Sequence, residues 1–172
     1  LSREKNIDVL LEKILIEAKV ISNSDGGTIY LVIDDDKKLN FEIMHTESLN
    51  IKWGGTSDPV PDTIYPVKIY NDDGEKNIHN VAAVCALEGR TINIDDAYAD
   101  KKYDFSGTKG VDEKYSYHSK SFLTVPLKNH KDKVIGVLQL INAQKDDKII
   151  SFSEELVDLV EALSSQASVA LT

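Results

Sequence analysis

The stretch Ser121–Ala143, SFLTVPLKNHKDKVIGVLQLINA, decides the fold. Phe122, Leu123, Val125 and Leu127 form one apolar run of strand-forming residues, and Val134, Ile135, Val137, Leu138, Leu140 and Ile141 form a second. Between them Lys128-Asn129-His130-Lys131-Asp132-Lys133 is wholly polar and suits a hairpin loop. Neither run alternates strictly, which is the pattern of strands covered on both faces. The remaining chain must therefore supply cover above and below. Gly136, inside the second run, leaves room for a close approach, and a helix is expected to press against it.

Working outward, residues 2–22 carry Ile7, Leu10, Leu11, Ile14, Leu15, Ala18 and Ile21 at helical spacing, with Ser2 as N-cap. Asn23-Ser24-Asp25-Gly26-Gly27 is expected to stop this helix. Residues 28–33 read as a buried strand, 34–38 as an acidic turn and 39–45 as a half-buried strand. The three aspartates of the turn lack the alternate spacing of an EF-hand loop, so a solvated hairpin tip is expected. Residues 47–66 look irregular, 66–70 a short edge strand, 77–87 a small-residue helix ending at Gly89, and 91–94 another short strand. A polar, aromatic segment follows, with a short helix over 111–117. After the central hairpin, residues 153–171 form the last helix, capped by Ser151 (with Glu154 in a capping box) or by Ser153. The order predicts an α+β fold: a mostly antiparallel sheet, two terminal helices on one face, and the irregular middle over the other. Loops over a sheet are a natural place for a ligand cavity.

The 172 residues suit one domain, with 1–24 as the first helix, 25–152 as sheet and pocket region and 153–172 as the last helix. A start at Leu1 instead of Met suggests excision from a longer protein. No apolar run approaches the ~20 residues of a membrane span, and no signal peptide leads the chain. The single cysteine, Cys85, fits a reducing, cytoplasmic setting. A net charge of −9, with Arg3 and Arg90 the only arginines, disfavours nucleic acid, anionic membrane surfaces and Arg-clamped phosphates.

The segments EAKVISNSDGGTIYLVIDDD (17–36), TINIDDAY (91–98), VDEKYSYHSKSFLTVPLKNHKDKVIGVLQLINA (111–143) and FSEELVDLVEALSSQASVAL (152–171) resemble GAF domains. The likeness is greatest to those of cyclic-nucleotide phosphodiesterases and of bacterial signalling proteins with phosphodiesterase, cyclase, phosphatase or kinase outputs. It implies a six-stranded antiparallel sheet, terminal helices on one face and a loop- and short-helix-covered ligand pocket on the other. It also implies a regulatory, non-catalytic module that senses a small-molecule effector and relays the signal through its terminal helices to a covalently linked output domain. The alternative is a ligand-free module for dimerisation and relay. Carried over by position, the candidate ligand-binding residues are Met44, His45, Val81, Ala82, Asp112, Tyr115 and Ser119. The family's Asn-Lys…Phe…Asp-Glu signature, associated with cyclic-nucleotide binding, is broken: Asn142 matches, but Ala143, Ile150 and Glu154-Glu155 stand at the following positions. Neither cAMP nor cGMP is therefore expected as ligand, and no cofactor is implied. A homodimer through the terminal helices is expected, with Leu156, Leu159, Val160, Leu163, Ala167 and Ala170 as the apolar stripe of the last one.

Other chemistry is thinly supported. Cys85 lies among Val, Ala and Leu, as inert buried thiols do, and lacks the adjacent His of bilin-attaching relatives. One thiol is too few for a GAF-type methionine sulfoxide reductase. His45, His79, His118 and His130 lack metal-ligand spacing, and Ser119, Ser121 and His118 resemble no nucleophile elbow. Asp95, Asp96, Asp100 and Asp104 read as a solvated loop with turn caps. The aromatic cluster Tyr103, Phe105, Tyr115 and Tyr117 either stacks a planar ligand or closes the core under a loop.

Overall fold

The computed structural model describes residues 3–171, in the order α1 (Arg3–Ser22), β1 (Ser24–Ile33), β2 (Lys38–Thr46), β3 (Ile51–Gly54), β4 (Val67–Lys68), α2 (Val81–Glu88), β5 (Ile92–Ile94), α3 (Ser106–Tyr115), β6 (Phe122–Lys128), β7 (Val134–Lys145), β8 (Lys148–Ile150) and α4 (Glu154–Leu171). The expected cap at Ser2 lies outside the described residues. Six strands form one continuous antiparallel path, β3-β2-β1-β7-β6-β5, and two short strands extend it, β4 on β2 and β8 on β7. The β6–β7 hairpin is central, joined to the first hairpin through β7 and β1.

Alternation along the strands divides the apolar residues into two cores. On one face Leu11, Leu15 and Ala18 of α1 and Val160 and Ala167 of α4 pack on Ile29, Leu123, Leu138 and Leu140. Each fully buried Leu or Ile contributes ~1.5–3 kcal/mol of transfer free energy, so this face is the stable frame. On the other face Tyr30, Leu39, Phe122 and Val137 meet Val81, Ala82, Val84 and Cys85 of α2, closed by Tyr103 and Phe105. A buried polar chain crosses this second face: Tyr30 Oη donates to Gln139 Oε1 (3.2 Å), and Gln139 Nε2 donates to Thr124 Oγ1 (3.1 Å).

Several local expectations change. Gly26 and Gly27 do not end in a loop but lie within β1, which begins at Ser24. A Cβ on Gly27 would lie 2.6 Å from Leu15 Cδ1, so the missing side chain lets α1 settle on the strand. Gly136 likewise accommodates a neighbour, but that neighbour is a strand: a Cβ there would lie 2.6 Å from the Tyr30 carbonyl oxygen, not against a helix. The irregular 47–66 segment contains β3, and α3 starts at Ser106, five residues before the expected position. Asn80 caps α2 by accepting from the Ala83 N–H (3.1 Å), and Gly89 closes it in the left-handed region at φ 61°. Ser153, not Ser151, caps α4, accepting from the Leu156 N–H at 3.2 Å. Among the described residues no helix is long and apolar enough to cross a membrane.

Candidate functional site

The register of β1 with β2 sets Thr28 beside Met44 and Gly27 beside His45. Successive side chains of a strand point to opposite faces, so Met44 and His45 cannot serve the same surface. Met44 joins Thr28 of β1, Ile51 and Trp53 of β3 and Ile141 of β7 around a small cavity of about 80 Å³, roofed by Val111, Asp112 and Tyr115 of α3. The Tyr115 ring meets Trp53 edge-on, with centroids 6.3 Å apart.

The roof is anchored by polar groups. In α3 only Asp112 is buried, while Val111 is 46% exposed. Asp112 Oδ2 accepts from Tyr98 Oη (2.7 Å) and from the Ser119 N–H (2.8 Å), and Oδ1 accepts from Ser119 Oγ (2.7 Å). Donating to that carboxylate pushes the Tyr98 phenol up to about 12, because the hydrogen bond favours its protonated form. A second buried carboxylate, Asp25 of β1, accepts from Ser48 Oγ (2.6 Å), the Ser48 N–H (3.0 Å) and Tyr117 Oη (2.7 Å). Burial, then the bond to Asp25, raises the Tyr117 phenol well above its ordinary value. Asn142, at φ 60°, ties the same segment to β7. Its Oδ1 accepts from the Lys120 and Ser121 N–H groups, and its Nδ2 donates to Tyr117 Oη and the His118 carbonyl.

Of the residues singled out by resemblance, Met44, Asp112, Tyr115 and Ser119 converge on this cavity. His45 borders it with its backbone, but its imidazole lies toward α1, with Nε2 4.0 Å from Glu12 Oε1. Val81 and Ala82 are buried at the start of α2, in the second core, and do not line the cavity. The aromatic cluster divides: Tyr103 and Phe105 close the core, with Phe105 and Phe122 centroids 5.2 Å apart, while Tyr115 and Tyr117 border the cavity. Asp25, Tyr98 and Trp53 were not anticipated. Asp25 sat in an apparent helix-stopping turn, where buried carboxylates are not expected. Asp96, Asp100 and Asp104 cap turns by accepting from the Tyr98, Lys102 and Ser106 N–H groups. Cys85 is buried, which pushes its thiol up to about 12 and leaves it inert.

Comparison with known proteins places this geometry. A family model described as GAF domain matches residues 6–171. The cGMP-specific 3',5'-cyclic phosphodiesterase of Drosophila ananassae is 27% identical over 161 residues, which are 92% of this chain and 12% of that protein. The chain thus spans about an eighth of that relative's length. Among solved structures, a methyl-accepting chemotaxis protein segment superposes with a TM-score of 0.63 at 20% identity, over 96% of this chain and 88% of that one. The GAF domain of an Acinetobacter phosphoenolpyruvate-protein phosphotransferase does so at 0.59 and 15%, over 98% and 92%. At these identities the superpositions speak for fold alone. The extent of the family match, together with the sheet order and the terminal helices on one face, leads to one conclusion: the chain belongs to the GAF domain family, regulatory and sensory modules of signalling proteins.

Proposed function

We propose that this domain binds a small molecule beneath α3 and relays its presence through α1 and α4 to an attached output domain. The observation that carries this reading is a cavity whose roof is anchored by hydrogen bonds at Asp112 and Asp25 instead of by apolar packing. At about 80 Å³ the closed cavity is far below the ~300–1,000 Å³ of pockets that enclose drug-sized ligands. A ligand of that size therefore enters only if α3 swings away. Cyclic nucleotides bind weakly or not at all in this reading. Tyr115 and Trp53 meet edge-on at the small cavity, and Ala143 follows Asn142 where the cyclic-nucleotide signature has Lys. The phosphodiesterase relative's name describes its reaction on cGMP, and catalysis by this chain forms no part of the proposal.

A thermal-shift screen against metabolites, with cAMP and cGMP included, tests it. A ligand at 100 times its Kd stabilises the folded chain by ~2.7 kcal/mol and raises Tm by several degrees. Met44→Trp, which fills the cavity, should abolish that shift. A library without a hit, or a shift unchanged in Met44→Trp, leaves the second reading: a GAF domain that dimerises and relays without a ligand, which the small cavity favours.

Both readings include a homodimer. Its support is the apolar surface outside the terminal helices: Val9, Ile16 and Val20 of α1 and Leu159 of α4 are exposed. Leu163 packs against the first core, so a charge there would test folding instead. Val20→Glu should convert a sedimenting dimer to monomer with Tm retained; a wild-type chain that is monomeric at all concentrations would contradict the seam.

A further inference from the structure

Clefts larger than the cavity beneath α3 lie elsewhere in the fold. In one of about 510 Å³ between α4 and β6, Lys128 faces Asp132 at 3.5 Å, Arg90 faces Glu88 at 3.1 Å and Thr91 donates to Glu161 at 2.7 Å. His45 is different. Its side chain is 1% exposed, and neither ring nitrogen has a hydrogen-bond partner. A neutral imidazole presents one donor and one acceptor, and burying both unmet costs stability, so the ring's position calls for an explanation.

The surroundings suggest one. From α1 come Glu12, with Oε1 4.0 Å from Nε2, and Lys19. The turn after β2 contributes Glu47 and β3 contributes Lys52, while the facing residue of β1 is Gly27. Lys19 is held by Glu47 at 2.6 Å. The other Glu12 oxygen accepts from the Thr56 hydroxyl and N–H, clamping α1 to the chain that leaves β3. Met44, the preceding residue of β2, lines the cavity on the opposite face. The β2–β3 hairpin is therefore cavity wall on one side and seat for α1 on the other.

We propose that His45 is a proton-responsive coupling point: a proton taken from solvent makes it an imidazolium, which the dry seat of α1 on the β2–β3 hairpin leaves without water and near the Lys19 ammonium, so protonation favours the state in which α1 lifts and the ring reaches solvent. Burial, then the Lys19 charge, holds the ring below its ordinary pKa, and Glu12 opposes that shift. The opened state, with a more ordinary ring, then binds more protons than the closed one. The seat is firmest above about pH 6.5 and weakens as pH falls below it. Only the consequence for an output domain rests on the relay reading. The coupling itself needs no ligand, so a failed ligand screen leaves it standing, and its own failure leaves the cavity untouched.

Hydrogen exchange of the whole chain at pH 7.5 and 5.5, corrected for intrinsic rates, tests it alongside NMR titration of the His45 ring. Amides of α1 and residues 51–56 should lose about fivefold or more of their protection at the lower pH. His45→Leu should show no such loss, and Glu12→Gln should move the His45 midpoint to lower pH. An equal loss in His45→Leu, or a midpoint unmoved by Glu12→Gln, overturns the proposal. If His45→Leu does not fold, the wild-type ring decides: α1 loosening while His45 stays neutral overturns it, and loosening that tracks the ring titration supports it.

Discussion

Where α1 and α4 meet the sheet, Leu11, Leu15, Ile29, Leu138 and Val160 have no exposed surface, whereas across the sheet α3 buries a single residue, and that residue is an aspartate. The first region is held by apolar area, which is large and indifferent to small displacements. The second is held by directional hydrogen bonds, each with a net contribution of only ~0.5–1.5 kcal/mol, or ~1.5–3 where a charged group takes part. A cover attached in this way can open without unfolding the frame beneath it. In the proposed function, this contrast would put rigidity along the relay through α1 and α4 and weakness at the entrance for a ligand.

Substitutions on the two faces should therefore differ in kind as well as in size. Leu138→Ala, in the frame, should lower global stability by ~3 kcal/mol in urea titrations, within the usual range for a buried Leu. An equal effect confined to one segment would erase the distinction. Asp112→Ala removes three accepted hydrogen bonds and should cost ~2 kcal/mol, read mainly as faster exchange over residues 106–119 with β1, β6 and β7 unchanged. Uniformly faster exchange would make α3 part of the frame. Asn80→Ala should cost ~1 kcal/mol through its lost cap on α2, which has apolar packing beneath it, and should leave α3 exchange alone.

The same contrast explains what the sequence disclosed. The frame was legible because long apolar runs and helical spacing repeat a signal many times, as in β6, β7, α1 and α4. The short edge elements were not. In β3 only Ile51 and Trp53 are apolar before Gly54, and β8 is three residues long. The start of α3 was hidden by Gly107 and Gly110, which weaken any helical reading; Asp104 organises the turn before it by accepting from the Ser106 N–H. In the site, Asp112 and Ser119 could be located by resemblance, but their bond to each other depends on how the chain returns after α3. Met44 and His45 show the finest limit. The end of β2 was located, yet strand alternation sends one residue to the cavity and the other to α1, and a shift of one residue would exchange them. Asp25 needed the fold itself, because its partners Ser48 and Tyr117 lie 23 and 92 residues away.

The most direct measurement of the account is residue-resolved hydrogen exchange on the wild-type chain without ligand. Amides of residues 106–119 should exchange through local opening at least ~100-fold faster than those of β1, β6 and β7, whose exchange should follow global unfolding. Protection of α3 equal to that of the central strands would contradict it, because the cover would then be part of the frame and the cavity would have no door.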